Sequence, residues 1–224
     1  MSTYDACDMT IVSACYGQYW HEFSQAWEQS IVMLDPRPAD IVLVTDVPRS
    51  IKGVRNIAIG QAHMADYFNT GAMAAETEWI VAAGFDDIWL PDAMSSFETD
   101  ADAYGYPMIM KGMTQGLFGY SGGFESILDV SHNPMLGGSF HRRKLLEEIP
   151  WRRFGWFDWA HFAEMRYFGR TFDAGQEPRS FMVRHDKAHS LAGDAAYQRE
   201  IDDFKAQLRV GNISMQASSQ QAND

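Results

Sequence analysis

Acidic and imidazole side chains stand in this chain where an α/β protein gathers its ligands. Asp46 closes the run IVLVTD, Asp86 and Asp87 close WIVAAGFDD, Asp158 lies in WFDWAHF, and His185 and His189 lie in RHDKAH. Adjacent carboxylates at the end of a buried strand can present a divalent cation to a ligand at the carboxyl edge of a sheet. A diphosphate leaving group concentrates negative charge, so Mn2+ or Mg2+ held by one or two carboxylates and an imidazole is its natural electrophilic catalyst. An acceptor hydroxyl is a poor nucleophile, and a separate carboxylate that takes its proton contributes roughly 10² to 10⁴ in rate. Each residue also has a plainer reading. Asp-Asp after a strand is a common turn or helix cap, Asp46 can form a turn, Asp158 can cap a helix, and a lone histidine is commonly structural.

Such residues need elements to carry them. Met9 to Ala14 (MTIVSA) reads as a short buried strand, apolar and β-branched. From Tyr19 to Leu34 the residues Trp20, Phe23, Trp27, Ile31 and Leu34 recur at helical spacing on one face, and Pro36 and Pro38 end the helix. Ile41 to Asp46 is a second buried strand and Val54 to Gly60 a third. A helical stripe of Met64, Phe68, Ala72 and Ala75, over Ala65 to Glu78, delivers the chain to a strand at Trp79 to Ala83. Leu90 to Phe97 is predicted as a helix because Pro91 suits a first turn, and a strand follows at Pro107 to Lys111. Gly112 to Gly138, rich in Gly, Ser and aromatics, reads as long loops or a hairpin near the active face. Helical patterns return at Arg142 to Ile149 and at Phe157 to Phe168, and SFMVRH is a last strand. Fully apolar strands alternating with helices predict one α/β domain with a mostly parallel central sheet and helices on both faces.

At 224 residues the chain can bury about 70% of its unfolded surface and needs neither disulfide nor metal for stability. Its composition, 46% hydrophobic and 13% aromatic, argues against disorder over most of its length, whereas the polar tail from Gly211 is expected to be disordered. Cys7 and Cys15 imply neither a disulfide framework nor a zinc cluster, which suggests a reducing compartment. There is no charged-then-apolar leader, and no apolar run reaches the roughly 18 residues a membrane span needs. A cytoplasmic protein without a membrane partner is the expectation. The formal net charge of -12 disfavours a broad phosphate-gripping surface, although HRRK (His141 to Lys144), Arg152 and Arg153 form a local basic cluster. That cluster also reads as a solvated helix start.

The order of these motifs resembles that of the GT-A glycosyltransferases, in particular the inverting family 2 that uses nucleotide-sugar donors. The likeness spans about residues 9 to 190 and rests on motif order more than on any single motif. It implies a Rossmann-like GT-A domain over 1–210, with a nucleotide-binding half over about 9–100, an acceptor half over about 101–190, and 211–224 as a tail. Within TIVSACYG, Ala14 and Tyr16 would line the nucleotide pocket; Asp46 would contact base or ribose, and Asn69 belongs to the stretch leading to the metal motif. That motif falls on Gly84-Phe85-Asp86. The resemblance makes Asp86 the principal metal ligand, with Gly84 where an acid is expected and Asp87 in a position to compensate.

FDWAHFAEMRYFG, Phe157 to Gly169, is similar to the family's acid-Asp-Trp helix, which implies that Asp158 is the catalytic base, with Phe157 where an acid is common. MLGGSFHRR, Met135 to Arg143, looks like the segment that shapes the acceptor site. Arg184-His185 resembles the element that supplies a metal-binding imidazole or a diphosphate contact, with His189 as a competitor. The implied activity is metal-dependent, inverting transfer from a nucleotide sugar, a UDP-sugar foremost, to an acceptor hydroxyl such as that of a glycan or a modified DNA base. Two alternatives stay open. One is a non-catalytic nucleotide-sugar or carbohydrate-binding protein of the same fold, which the missing first acid favours. The other is a nucleotidyltransferase, although that chemistry wants a Gly-rich, basic loop after the first strand, and ACYGQYWHEF offers none.

Overall fold

In the computed structural model, which describes residues 1–112, 116–119, 124–128, 137–184 and 194–209, the apolar runs become the middle of a seven-stranded sheet. A short strand β1 (Ser2–Tyr4) leads into β2 (Met9–Cys15), which is buried at every position. Burial on both faces follows from what comes next. Helix α1 (Tyr19–Val32) covers one face with Trp27 and Ile31. After β3 (Asp40–Thr45) and β4 (Arg55–Ala58), helix α2 (Met64–Ala74) covers the other, packing Ala65, Phe68 and Ala72 with Val12, Val44 and Ile80 of the sheet. Helix and sheet approach closely at Gly71, where a Cβ would lie 2.2 Å from Val12 Cγ1. Strand β5 (Trp79–Gly84) then lies beside β2 in parallel register.

Beyond β5 the chain leaves this sheet. Short strands β6 (Asp87–Trp89), β7 (Phe97–Thr99), β8 (Ala103–Tyr106), β9 (Met108–Gly112) and β10 (Gly116–Phe118) precede β11 (Gly138–Arg142). Helices α3 (Arg143–Glu148) and α4 (Phe157–Tyr167), strands β12 (Phe172–Ala174) and β13 (Ser180–Arg184), and helix α5 (Asp194–Arg209) complete the described chain. The large sheet runs β12-β8-β11-β5-β2-β3-β4; β11 opposes both of its neighbours and the remaining pairings are parallel. Four further strands form a second sheet in the order β10-β9-β13-β6, and β1 pairs with β7. Helix α5 buries Ile201, Phe204 and Leu208 in the cluster that holds Trp159 and Phe162.

The helix expected over Leu90 to Phe97 is replaced by turns that run into β7. A helix keeps its carbonyls for itself, but here they are drawn outward. Pro91 O accepts from Asp35 N–H at 2.8 Å, and the buried Arg179 guanidinium takes the carbonyls of Ala93 and Ser95 at 2.6 and 2.7 Å. The sequence reading also joined as loop or left unassigned several short strands, β1, β6, β8, β11 and β12, together with helix α5. Cys7 and Cys15 are both free thiols. Among the described residues no helix is long and apolar enough to cross a membrane. The tail from Gly211 lies outside the described residues.

Candidate active site

The turn between β5 and β6 is built around a glycine. Gly84 N–H donates to Asp87 Oδ2 at 2.8 Å, and a Cβ placed on Gly84 would lie 2.4 Å from Asp86 Oδ1. The space that a first acid of the motif would fill is therefore taken by the carboxylate of Asp86 itself. Between them Phe85 turns into the core, stacked against Trp27 at 4.9 Å and Trp20 at 5.9 Å, so the aromatic payload of α1 anchors the turn from below. Burial, and then the neighbouring charge of Asp86, push the Asp87 carboxyl well above the usual carboxylate range, against the opposing pull of the Gly84 N–H.

Strand β13 closes on the same turn. Met182 pairs with Asp87, and Val183 N–H donates to Asp86 O at 3.4 Å. The backbone of Arg184, next along β13 and paired with Gly112, thus runs on beside Asp86. His185 and His189 lie outside the described residues.

Across the sheet, Ala14 is buried and pairs with Val44 on one side and Gly84 on the other, so it sits between the strands that end at Asp46 and at Asp86. Asp46 accepts the N–H groups of Gly17 and Val47, each at 2.9 Å, and so fastens the turn after β2 to the turn after β3. The Tyr16 ring stacks on Tyr67 of α2 at 5.5 Å, and Tyr67 donates its hydroxyl to Gly60 O at 2.7 Å. Burial and the charge of Asp86 raise the Tyr16 hydroxyl. The Cys15 thiol is pushed up to about 12 by burial, with Arg49 lowering it and Asp46 and Asp86 raising it further. Tyr16, Asp46 and Asp86 therefore gather at the end of β2. Asn69 does not join them: its amide clasps Trp151, donating to the carbonyl at 2.7 Å and accepting the N–H at 2.9 Å.

Asp158 occupies the first turn of α4 and is exposed. The start of that helix is tied to the start of α2. Phe157 stacks on Phe68 at 5.7 Å, and Arg153 pairs with Asp66 at 2.8 Å. Since α2 begins after β4 ends, these ties bring the Asp158 turn toward the carboxyl edge of the parallel strands. Deeper along α4 and β11 several polar side chains bond one another. Ser139 Oγ is 2.7 Å from His141 Nε2, whose Nδ1 is 3.2 Å from His161 Nε2. Burial holds both imidazoles neutral, His141 well below the usual histidine range and His161 at about 3.

The HRRK cluster is not a free basic patch. His141 is buried in that pair, Arg142 bridges Glu78 and the Tyr4 hydroxyl, and Arg143 pairs with Glu147. Arg152 likewise reaches the buried Glu164 at 2.5 Å. The sequence reading passed over two features of this site. It treated Phe85 as a spacer and gave Arg49, in the turn VPRS after Asp46, no role; neither residue carries a spacing or composition signal that would have marked it.

No protein-family model matches this chain, and no curated protein matches its sequence. Solved structures do match its shape. Over 90% of this chain and 71% of the other, it superposes on S. aureus TarS 1–349 in complex with UDP-GlcNAc with a TM-score of 0.60 at 12% identity. Glucosyl-3-phosphoglycerate synthase from Mycobacterium tuberculosis, in complex with Mn2+, UDP and phosphoglyceric acid, gives 0.57 at 10% identity, over 90% of this chain and 78% of that one. A mannosyltransferase from Pyrobaculum calidifontis, in complex with GDP-Man and Mn2+, gives 0.56 at 12% identity, over 92% and 70%. At these identities the likeness is one of shape, and it shows that the chain has the GT-A glycosyltransferase fold.

Proposed function

We propose that the chain is a metal-dependent, inverting glycosyltransferase that moves a sugar from a nucleotide-sugar donor to an acceptor hydroxyl. The observation that carries this reading is the gathering of Tyr16, Asp46 and Asp86 at the end of β2, with the Asp158 turn of α4 tied to the same side. Ala14, Tyr16, Asp46 and Gly84 line the donor nucleotide, with Arg184 toward its diphosphate. Asp86 and Asp87 are hard oxygen donors, the second raised by burial and then by the charge of the first, and such a pair suits Mn2+ or Mg2+. Asp86, with His185 or His189, would hold the ion, which supplies charge neutralisation on the departing diphosphate. Asp158 accepts the proton of the acceptor hydroxyl as its oxygen attacks the anomeric carbon in line. The new C–O bond forms as the bond to the diphosphate oxygen breaks, and the configuration inverts.

UDP and UDP-GlcNAc in the structural neighbours favour a UDP-sugar donor, and GDP-Man in another keeps guanosine donors in play. A soluble glycan or a modified DNA base suits the acceptor side, and a cytoplasmic location goes with either. A thermal-shift screen of UDP-GlcNAc, UDP-glucose and GDP-mannose, with and without Mn2+, tests the reading. At a hundredfold excess over its dissociation constant a bound donor stabilises by about 2.7 kcal/mol. Absence of a shift with every donor would overturn it. Gly84 in place of an acid also favours a non-catalytic binder of the same ligands; a metal-dependent shift without any donor hydrolysis would select that alternative.

A further inference from the structure

Arg49 differs from the paired arginines among the described residues, including Arg166 and Arg170, whose Nε atoms are likewise buried without a hydrogen bond but whose terminal nitrogens reach carboxylates. Arg55, Arg142, Arg152, Arg153 and Arg170 each pair with a carboxylate, and Arg179 gives its guanidinium to two carbonyls. The Arg49 guanidinium has no carboxylate or carbonyl partner among the described residues, and its Nε is buried without a hydrogen bond. Leaving a buried donor of a charged group unmatched is costly, so the arrangement asks for an anion.

The surrounding geometry says where that anion would lie. The loop is held in place because Arg49 N–H donates to Asn56 Oδ1 at 2.8 Å, and the Asn56 amide in turn donates to Leu43 O and Thr45 Oγ1, both at 2.8 Å. The side chain then folds so that its guanidinium lies 4.7 Å from the centre of the Trp20 ring. Trp20 stacks on Phe85, the residue before Asp86, so the cation sits one aromatic layer from the acidic turn. Asp46, Asp86 and Arg49 all act on the Cys15 thiol, which puts the three charges around one strand end. A guanidinium held over an indole is preorganised to offer its fork to a phosphate group.

We propose that Arg49 is a phosphate-recognition residue of the donor site, binding the diphosphate of the nucleotide. This rests on the proposed donor reading and adds to it a second, protein-borne positive charge on the leaving group, independent of the metal.

The test compares ligands that differ only in their phosphates. UDP binding is measured by calorimetry in Mn2+ and in EDTA, and uridine binding by ligand-observed NMR, for the wild-type chain, Arg49→Gln and Arg49→Lys. Arg49→Gln is expected to weaken UDP by about tenfold or more in both buffers, because a charge-assisted hydrogen bond is lost, while uridine changes by less than about twofold. Arg49→Lys should lose less than Arg49→Gln, since it keeps the charge and loses only the fork. Parallel weakening of UDP and uridine would show that Arg49 acts through Trp20 and overturn the proposal, as would unchanged UDP binding in Arg49→Gln. A wild-type chain that binds neither UDP nor GDP overturns the donor reading along with it, whereas wild-type binding with indifferent variants removes Arg49 alone. Melting temperatures identify a variant that fails to fold, and Arg49→Lys then carries the comparison.

Discussion

At the carboxyl ends of β2, β3 and β5 the carboxylates are fastened to the N–H groups of turns: Asp46 to Gly17 and Val47, Asp87 to Gly84. Across β11 the polar side chains instead bond one another beneath the surface, Ser139 to His141, His141 to His161, and Arg152 to Glu164. In the first arrangement the backbone sets each acid's direction, and the carboxylate keeps lone pairs for a ligand. In the second the polar groups fix one layer against another, and desolvation makes each dependent on its partner. Substitutions at the carboxyl edge should therefore alter ligand binding with little change in stability, whereas substitutions in the interior around β11 should alter stability first. Asp158, exposed on a helix that the interior network helps to seat, is the acceptor-half residue expected to break that pattern.

Asp158→Asn offers the largest effect. It is expected to slow transfer by about 10³-fold while nucleotide affinity and melting temperature stay at wild-type values, read from nucleoside diphosphate release beside calorimetry. Loss of donor binding in this variant would mean that the two halves do not divide the work as argued. Next, Arg152→Met should cost about 3 kcal/mol in urea unfolding, because Glu164 is left buried without its cation, yet the folded protein should bind UDP as before. A stability change within 1 kcal/mol would place that pair in the same class as a surface ion pair.

Gly84→Ala sharpens the contrast from the other side. The added methyl displaces the Asp86 carboxylate, and Mn2+ affinity measured by electron paramagnetic resonance should fall about tenfold with little loss of stability. Wild-type affinity would show that Asp86 needs no such seat. The smallest effect is in the pH profile. Both buried imidazoles have folded-state values below the unfolded value of about 6.5, so their contribution to stability is complete above pH 6.5 and is lost as the pH falls, for His161 down to about 3. Each adds at most about 1.4 kcal/mol per pH unit to that decline. His161→Phe should flatten the fall in melting temperature between pH 6.5 and 5, and an unchanged slope would assign it to other groups.

The halves also differ in how far their sequence announced them. β2, β3 and β5 are dominated by apolar residues, with only small hydroxyls such as Thr10 and Ser13 between them, and a strand covered on both faces leaves that signature, so these strands and the acids after β3 and β5 are readable. Around β11 the same inference fails because polar residues occupy interior positions. Ser139 and His141 interrupt β11, and the pairing that makes them tolerable comes from His161 on a distant helix. Leu90 to Phe97 misled for a related reason: Arg179, far along the chain, claims carbonyls that a local reading assigns to a helix. Helix α5 had a usable signal, with Ile201, Phe204 and Leu208 at helical spacing. Arg49 had none, since an arginine in a turn reads as solvated until the loop around it is folded.

β5 ends at Gly84 and β6 begins at Asp87, so the chain crosses from one sheet to the other within Phe85 and Asp86. Phe85 is gripped from the side of the large sheet by two indoles, while the Asp86 carbonyl is held by Val183 of the small one. Asp86 therefore takes its position from both sheets at once, and a change in the packing of either one reaches the same carboxylate.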